Sequence, residues 1–212
     1  MGNNKSVPHD IPKEWLKKHD ELICWQNRLV NLPESICHLS SLKKLSCSFN
    51  QLTSLPESIG SLSNLRDLFC VDNQLTNLPE SIGSLSNLRI LNCHFNRLTK
   101  LPDSICHLSG LQELYCGNNR LTKLPESIGS LSNLRALYCW NNQLTNFPES
   151  ICHLSDILKF DCYNNPLTSF PKSVRCSYKN IKEYSKYSKI KKILNEQLIL
   201  DLDTVSIITL FY

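Results

Sequence analysis

The 212-residue sequence predicts an α/β repeat solenoid, with a concave parallel β-sheet and a convex side of short helical, 3₁₀ or irregular segments. Three observations carry this prediction. Cysteines stand at 24, 47, 70, 93, 116, 139 and 162, one every 23 residues. Asparagines keep the same interval from 27 to 165, and prolines keep it from 33 to 171. The seven copies run without an insertion, with the consensus L-x-x-L-x-C-x-x-N-x-L-T-x-L-P-E-S-I-G-S-L-S-N. Self-similarity at such a period is the signature of stacked units that cannot bury their apolar sides alone.

Each element follows from the copy that begins at Leu134. Leu137 and Cys139 are two residues apart, the spacing of one face of a strand. Asn142 stands where the chain leaves that strand, and its amide is expected to satisfy turn backbone groups that would otherwise be buried unpaired. Pro148 is expected to start a short helical or 3₁₀ turn, where its missing N–H costs nothing. Ile151 and Leu154 are three apart, the spacing of one helix face. Leu134, Leu137, Cys139, Leu144, Phe147, Ile151 and Leu154 are therefore expected to face inward and to build a continuous core with the other copies.

These residues resemble the leucine-rich repeat, with cysteine where leucine usually stands. The L-P-E-S-I-G-x-L half is similar to the intracellular, Ras-group-related and bacterial-like LPxxIG class. The cysteine column is similar to the cysteine ladder of some bacterial internalins. The resemblance covers about residues 19–175. It implies a right-handed leucine-rich-repeat horseshoe that binds other proteins, without naming a partner. Some bacterial leucine-rich-repeat effectors are ubiquitin ligases with a catalytic domain beyond the repeats. Here about 37 residues follow Arg175, too few for such a domain.

The cysteines read as bricks. Stacked strands lie ~4.8 Å apart, beyond the ~3.5–4.5 Å between Cβ atoms that a disulfide prefers, and a free cysteine packs as a small hydrophobe. Cys37-His38, Cys106-His107 and Cys152-His153 replace the consensus Gly-Ser. They are expected on the return segments, with Cys106 and Cys152 roughly 10 Å apart on the strand spacing. That is too far for one metal ion to be reached at ~2.0–2.3 Å. No catalytic residue, metal site or cofactor is expected.

The variable strand positions carry the functional expectation. Residues on either side of each core cysteine should point out of the concave face. That face is expected to present Trp25, Phe69, Tyr115, Tyr138, Trp140 and Tyr163, with His94 among them. Tyr and Trp dominate binding hot spots, and contiguous exposed aromatics mark interaction surfaces. The alternative is that aromatic rows only stabilise the sheet. Phe49 and Phe95, one residue further on, border this surface and can tuck into the turn. Lys43, Arg66, Arg89 and Arg135 flank it and could steer an acidic partner.

The ends differ from the repeats. Residues 1–18 are expected to form an N-terminal segment and cap helix, the helix running over Ile11–Asp20 with Asp10 as N-cap. Residues 176–212 are expected to form a basic C-terminal helix or cap and a tail. Residues 1–171 carry 15 Lys/Arg and 15 Asp/Glu, whereas 172–212 carry 8 and 4, so the net +4 belongs to the tail. This balance argues against nucleic acid as a partner. The first residues show no apolar run of a signal peptide, and no tract approaches the ~18 apolar residues of a membrane span. A cytoplasmic monomer is expected. Met1-Gly2-Asn3-Asn4-Lys5-Ser6 fits the N-myristoylation pattern. A myristate on Gly2, with the Lys179–Lys192 cluster as second signal, would direct the chain to anionic membrane, in the host cytoplasm if it is an effector. The function expected is a non-catalytic protein–protein interaction module, adaptor or effector-like. The alternatives are part of a ubiquitin-ligase-type effector and a membrane-tethered signalling scaffold.

Overall fold

The computed structural model describes residues 20–171. Its strands are short: β1 (Glu21–Ile23), β2 (Lys44–Ser46), β3 (Asp67–Phe69), β4 (Ile90–Asn92), β5 (Glu113–Tyr115), β6 (Ala136–Tyr138) and β7 (Lys159–Asp161). They form one parallel sheet in sequence order. Each residue pairs with its equivalent in the next copy, Leu91 with Leu114 and Leu114 with Leu137. The 23-residue period is thus the register of the sheet. The backbone ladder continues past the strands, with Cys116 N–H donating to the Tyr138 carbonyl at 2.8 Å and Asn118 N–H to Trp140 at 2.8 Å.

The return segments are 3₁₀ helices: η1 (Glu34–His38), η2 (Glu57–Ser61), η3 (Glu80–Ser84), η4 (Asp103–His107), η5 (Ile128–Ser130) and η6 (Glu149–His153). Proline stands one residue earlier than expected. Pro148 is the cap, with φ −65° and ψ 150°, and not the first helical residue. Its carbonyl accepts the Ile151 N–H at 3.0 Å, closing the first turn.

Sheet and return segments enclose one core. Leu134, Leu137, Cys139, Leu144, Phe147 and Leu154 are buried as expected, and Ile151 is half-buried. The described cysteines are free thiols. Cys47, Cys70 and Cys93 turn toward the next strand, Cys93 Sγ lying 3.3 Å from the Tyr115 carbonyl oxygen. Burial pushes the Cys93 thiol up to about 12 and the Cys24 thiol to about 11.

Asn142 shows why one polar residue recurs inside this core. Its Nδ2 donates to the carbonyls of Cys116 at 3.0 Å, Cys139 at 3.0 Å and Trp140 at 3.2 Å. Its Oδ1 accepts the Leu121 N–H at 2.9 Å. One amide ties the turn of its own copy to the copy before it, and otherwise unpaired buried backbone groups are satisfied.

Glycine in the return segments reflects close packing. A Cβ on Gly60, Gly83 or Gly129 would collide with the carbonyl oxygen of Ser81, Ser104 or Ser150 in the next copy. Cys37 and Cys106 occupy the equivalent position and are buried, while Cys152 is half-buried. After Cys106 the next return helix shrinks to the three residues of η5, yet after Cys37 η2 keeps five, so the thiol alone does not set the length.

The expected N-terminal helix, apart from Asp20, and the expected C-terminal helix, with Gly2 and Lys179–Lys192, lie outside the described residues. Within them, Asp20 receives Lys43 Nζ at 2.8 Å across the first two copies.

Candidate functional site

Alternation in the strands turns the residues beside each buried cysteine to the concave face. The structure brings five of the expected residues together there: His94, Tyr115, Tyr138, Trp140 and Tyr163. Tyr115 and Tyr138 stack with centroids 4.9 Å apart and planes 8° apart. Trp140 and Tyr163 stack at 5.5 Å and 5°. His94 joins the two rows, with its ring 5.4 Å from both Tyr115 and Trp140.

Gly117 makes room for this junction. A Cβ there would lie 2.8 Å from Cε2 and Nε1 of Trp140 and 3.0 Å from Cε1 of His94. The missing side chain lets the indole lie over the β5 exit and reach the histidine two strands away.

These rings differ from the expectation in exposure. Parallel strands hold equivalent residues about one stacking distance apart, so each ring covers its neighbour. His94, Tyr115, Tyr138, Trp140 and Tyr163 are each half-buried. Trp25 is exposed at 48% of its surface. Phe69 is half-buried, with Lys44 Nζ 5.9 Å from its ring centroid. Among the described residues, Trp25 and Phe69 make none of the ring contacts above, so the aromatic surface belongs to β4–β7.

Burial sets the electrostatics of the cluster. It holds the His94 imidazole below its ordinary range, partly offset by the Gly117 carbonyl 3.3 Å from Nδ1. Burial first, and then the 2.5 Å hydrogen bond that its hydroxyl donates to Glu113, raises the Tyr115 phenol. The Asp161 carboxyl is raised by burial, against the lowering effect of the Tyr163 N–H. The cluster can offer a flat π surface edged by polar atoms. Among the described residues, no group of three His, Cys, Asp or Glu could hold a metal ion, and no helix is long and apolar enough to cross a membrane.

Sequence reasoning placed Phe49 and Phe95 at the border and allowed them to tuck into the turn. They do not tuck in, being exposed at 48% and 43%. Both have left-handed backbone, φ 56°, a conformation that costs a bulky L-residue roughly 1–2 kcal/mol. Gln26, Asp72, Asn118, Asn141 and Asn164 hold the same position in the other copies, also with positive φ. The recurring Asx type in this column was the available signal for its backbone.

Comparison with known proteins agrees with this architecture. Residues 57–183 match the model of the leucine-rich repeat region, and residues 41–62 match a second leucine-rich repeat model. No curated protein matches. Among solved structures, a leucine-rich repeat protein of Leptospira interrogans is 31% identical with a TM-score of 0.54, over 70% of this chain and 44% of that one. The plant peptide hormone receptor RGFR1, solved in complex with RGF2, is 30% identical with a TM-score of 0.66, over 76% of this chain and 30% of the receptor. An internalin of Listeria monocytogenes shares the fold, with 24% identity and a TM-score of 0.62 over 70% of this chain and 43% of that one. The chain spans less than half the length of each of these structures.

Proposed function

The chain belongs to the leucine-rich repeat family, and from that premise we propose that it is a non-catalytic interaction module whose aromatic concave face binds a protein partner. One observation carries the reading: His94, Tyr115, Tyr138, Trp140 and Tyr163 form an unbroken run of ring contacts across β4–β7. Rings held by their neighbours lose little freedom when a partner lands on them, and such pre-organisation favours affinity. The receptor RGFR1, similar in sequence and fold, was solved in complex with RGF2, which supports a protein or peptide ligand for this face. Trp25 and Phe69 extend the proposed contact toward the N-terminal copies.

The finer features belong to the same proposal. The repeats are of the intracellular LPxxIG class with a cysteine ladder. They occupy residues 19–175 between an N-terminal cap and a basic C-terminal cap. The module is a cytoplasmic, monomeric adaptor or effector-like protein. Gly2 in its M-G-x-x-x-S context favours a membrane-tethered form, with a single acyl chain reinforced by Lys179–Lys192. Co-expression with the acyltransferase and an intact mass tests this; an unmodified Gly2 rules it out.

The concave-face reading is tested by affinity capture with Tyr138→Ala/Trp140→Ala, both positions being on the surface of the sheet. The double variant is expected to stay folded and to lose the proteins that the parent captures. Capture of the same proteins at the same yield would overturn the reading.

A further inference from the structure

The rim where the chain leaves the sheet carries two features that the fold does not require. The first is the pair Phe49 and Phe95, exposed on left-handed backbone. Asparagine suits that backbone, because its short polar side chain bonds locally. At Asn141 and Asn164 it also links copies, each Nδ2 donating to the Oδ1 of the preceding asparagine. A phenylalanine there is only partly covered and has no relaxed backbone, and strain of this kind persists where function uses it. The two lie two copies apart, about 10 Å along the stack. Phe95 reaches the concave cluster, meeting Trp140 edge-on at 5.6 Å and 76°.

The second feature is charge. The stretch after the left-handed residue reads NRLTKL at 96–101 and again at 119–124, but NQLTSL, NQLTNL and NQLTNF at 50–55, 73–78 and 142–147. Arg97, Lys100, Arg120 and Lys123 therefore bring four cations to two adjacent copies, in register and exposed, whereas the first copy, NRLVNL at 27–32, has Arg28 in the same column with no lysine after it. Neither stretch holds a carboxylate, and the described ion pairs, Lys43–Asp20 and Lys44–Glu21, lie elsewhere. The basic rim begins two residues after Phe95.

We infer that this rim docks an acidic, extended segment of a protein partner that presents two apolar side chains about 10 Å apart to Phe49 and Phe95. An extended chain with three residues per turn advances ~3.1 Å per residue, so apolar residues at i and i+3 face one side at that spacing. Exposed Asp72 holds the same position in the copy between the two phenylalanines, so the partner's carboxylates would lie beyond Phe95, where they would meet the four cations. Broad polyanions fit less well, because residues 20–171 carry 13 Asp/Glu against 11 Lys/Arg. In addition, a carboxylate opens nearly every return segment, from Glu34 to Glu149. The inference goes beyond the concave-face reading and rests on different residues.

The test is a selection of displayed random twelve-residue peptides on the full chain, with two variants in parallel: Phe49→Asn/Phe95→Asn and Arg120→Gln/Lys123→Gln. Acidic peptides with paired apolar residues three apart are expected, each variant binding them about tenfold or more weakly. The asparagine variant should melt no lower than the parent. Peptides without acidic residues, equal binding to either variant, or a lower melting point for the asparagine variant would overturn the inference. So would binding of phosphatidylserine vesicles or single-stranded DNA, or self-association, that the same substitutions abolish. Selected peptides that still bind Tyr138→Ala/Trp140→Ala keep the rim separate from the concave face, whichever of the two readings fails.

Discussion

Tyr115 and Tyr138 stack 4.9 Å apart because β5 and β6 pair them side by side. A parallel register repeats the same side chain at one strand spacing, which is close to the distance of an offset aromatic stack. Tyr138→Ala is therefore expected to cost about 0.5–1.5 kcal/mol beyond its lost area. Chemical denaturation checks this through a lower midpoint with an unchanged slope. A change in slope would mean that the ring organises the array and not only the surface.

The cysteine column should be chemically silent. Burial holds Cys93 at about 12, so the reactive thiolate is scarce even in mild alkali. Native-state alkylation at pH 9, mapped by peptide mass, is expected to spare Cys70, Cys93, Cys116 and Cys139, and denaturant should expose them all. Cys139→Ser, which puts a hydroxyl in the core, should cost ~1–3 kcal/mol. Rapid native labelling, or an unchanged melt for the serine variant, would contradict the inward register.

Asn119 sits mid-array with its Nδ2 on the carbonyls of Cys93, Cys116 and Gly117 and its Oδ1 on the Leu98 N–H. Asn119→Ala leaves buried groups unpaired, each worth about 1–3 kcal/mol. Hydrogen exchange is expected to speed at Leu98 N–H first, before global unfolding. Uniform exchange in parent and variant would remove the clamp role.

His94 gives a pH signature. Its folded pKa is lowered by burial, so on acidification the unfolded chain takes up the proton first. That contribution to stability is constant above the unfolded value of ~6.5. It falls as pH drops from there through the folded pKa, then levels off. Melting from pH 8 to 5 should show this slope in the parent and less of it in His94→Gln. Equal slopes would place His94 outside the buried cluster.

Much of this was legible in the sequence. The period gave the register, Cys139 beside Tyr138 and Trp140 gave the faces, and Asn142 gave the turn. The mutual burial of the rings was less visible, because it depends on stacking at one strand spacing and on the space left by Gly117. The exposure of Phe49 and Phe95 was not legible at all. Nothing in the letters around a phenylalanine states that its backbone is left-handed; only the asparagines at 118, 141 and 164 in the same column hint at it.

The most direct measurement of the central claim is site-specific photo-crosslinking. A benzoylphenylalanine replaces Tyr138 on the concave face or, separately, Glu80 at the start of a return helix, and the chain is irradiated in lysate. The account predicts discrete protein adducts from position 138 and none above background from position 80. Adducts from position 80 with none from position 138 would contradict it.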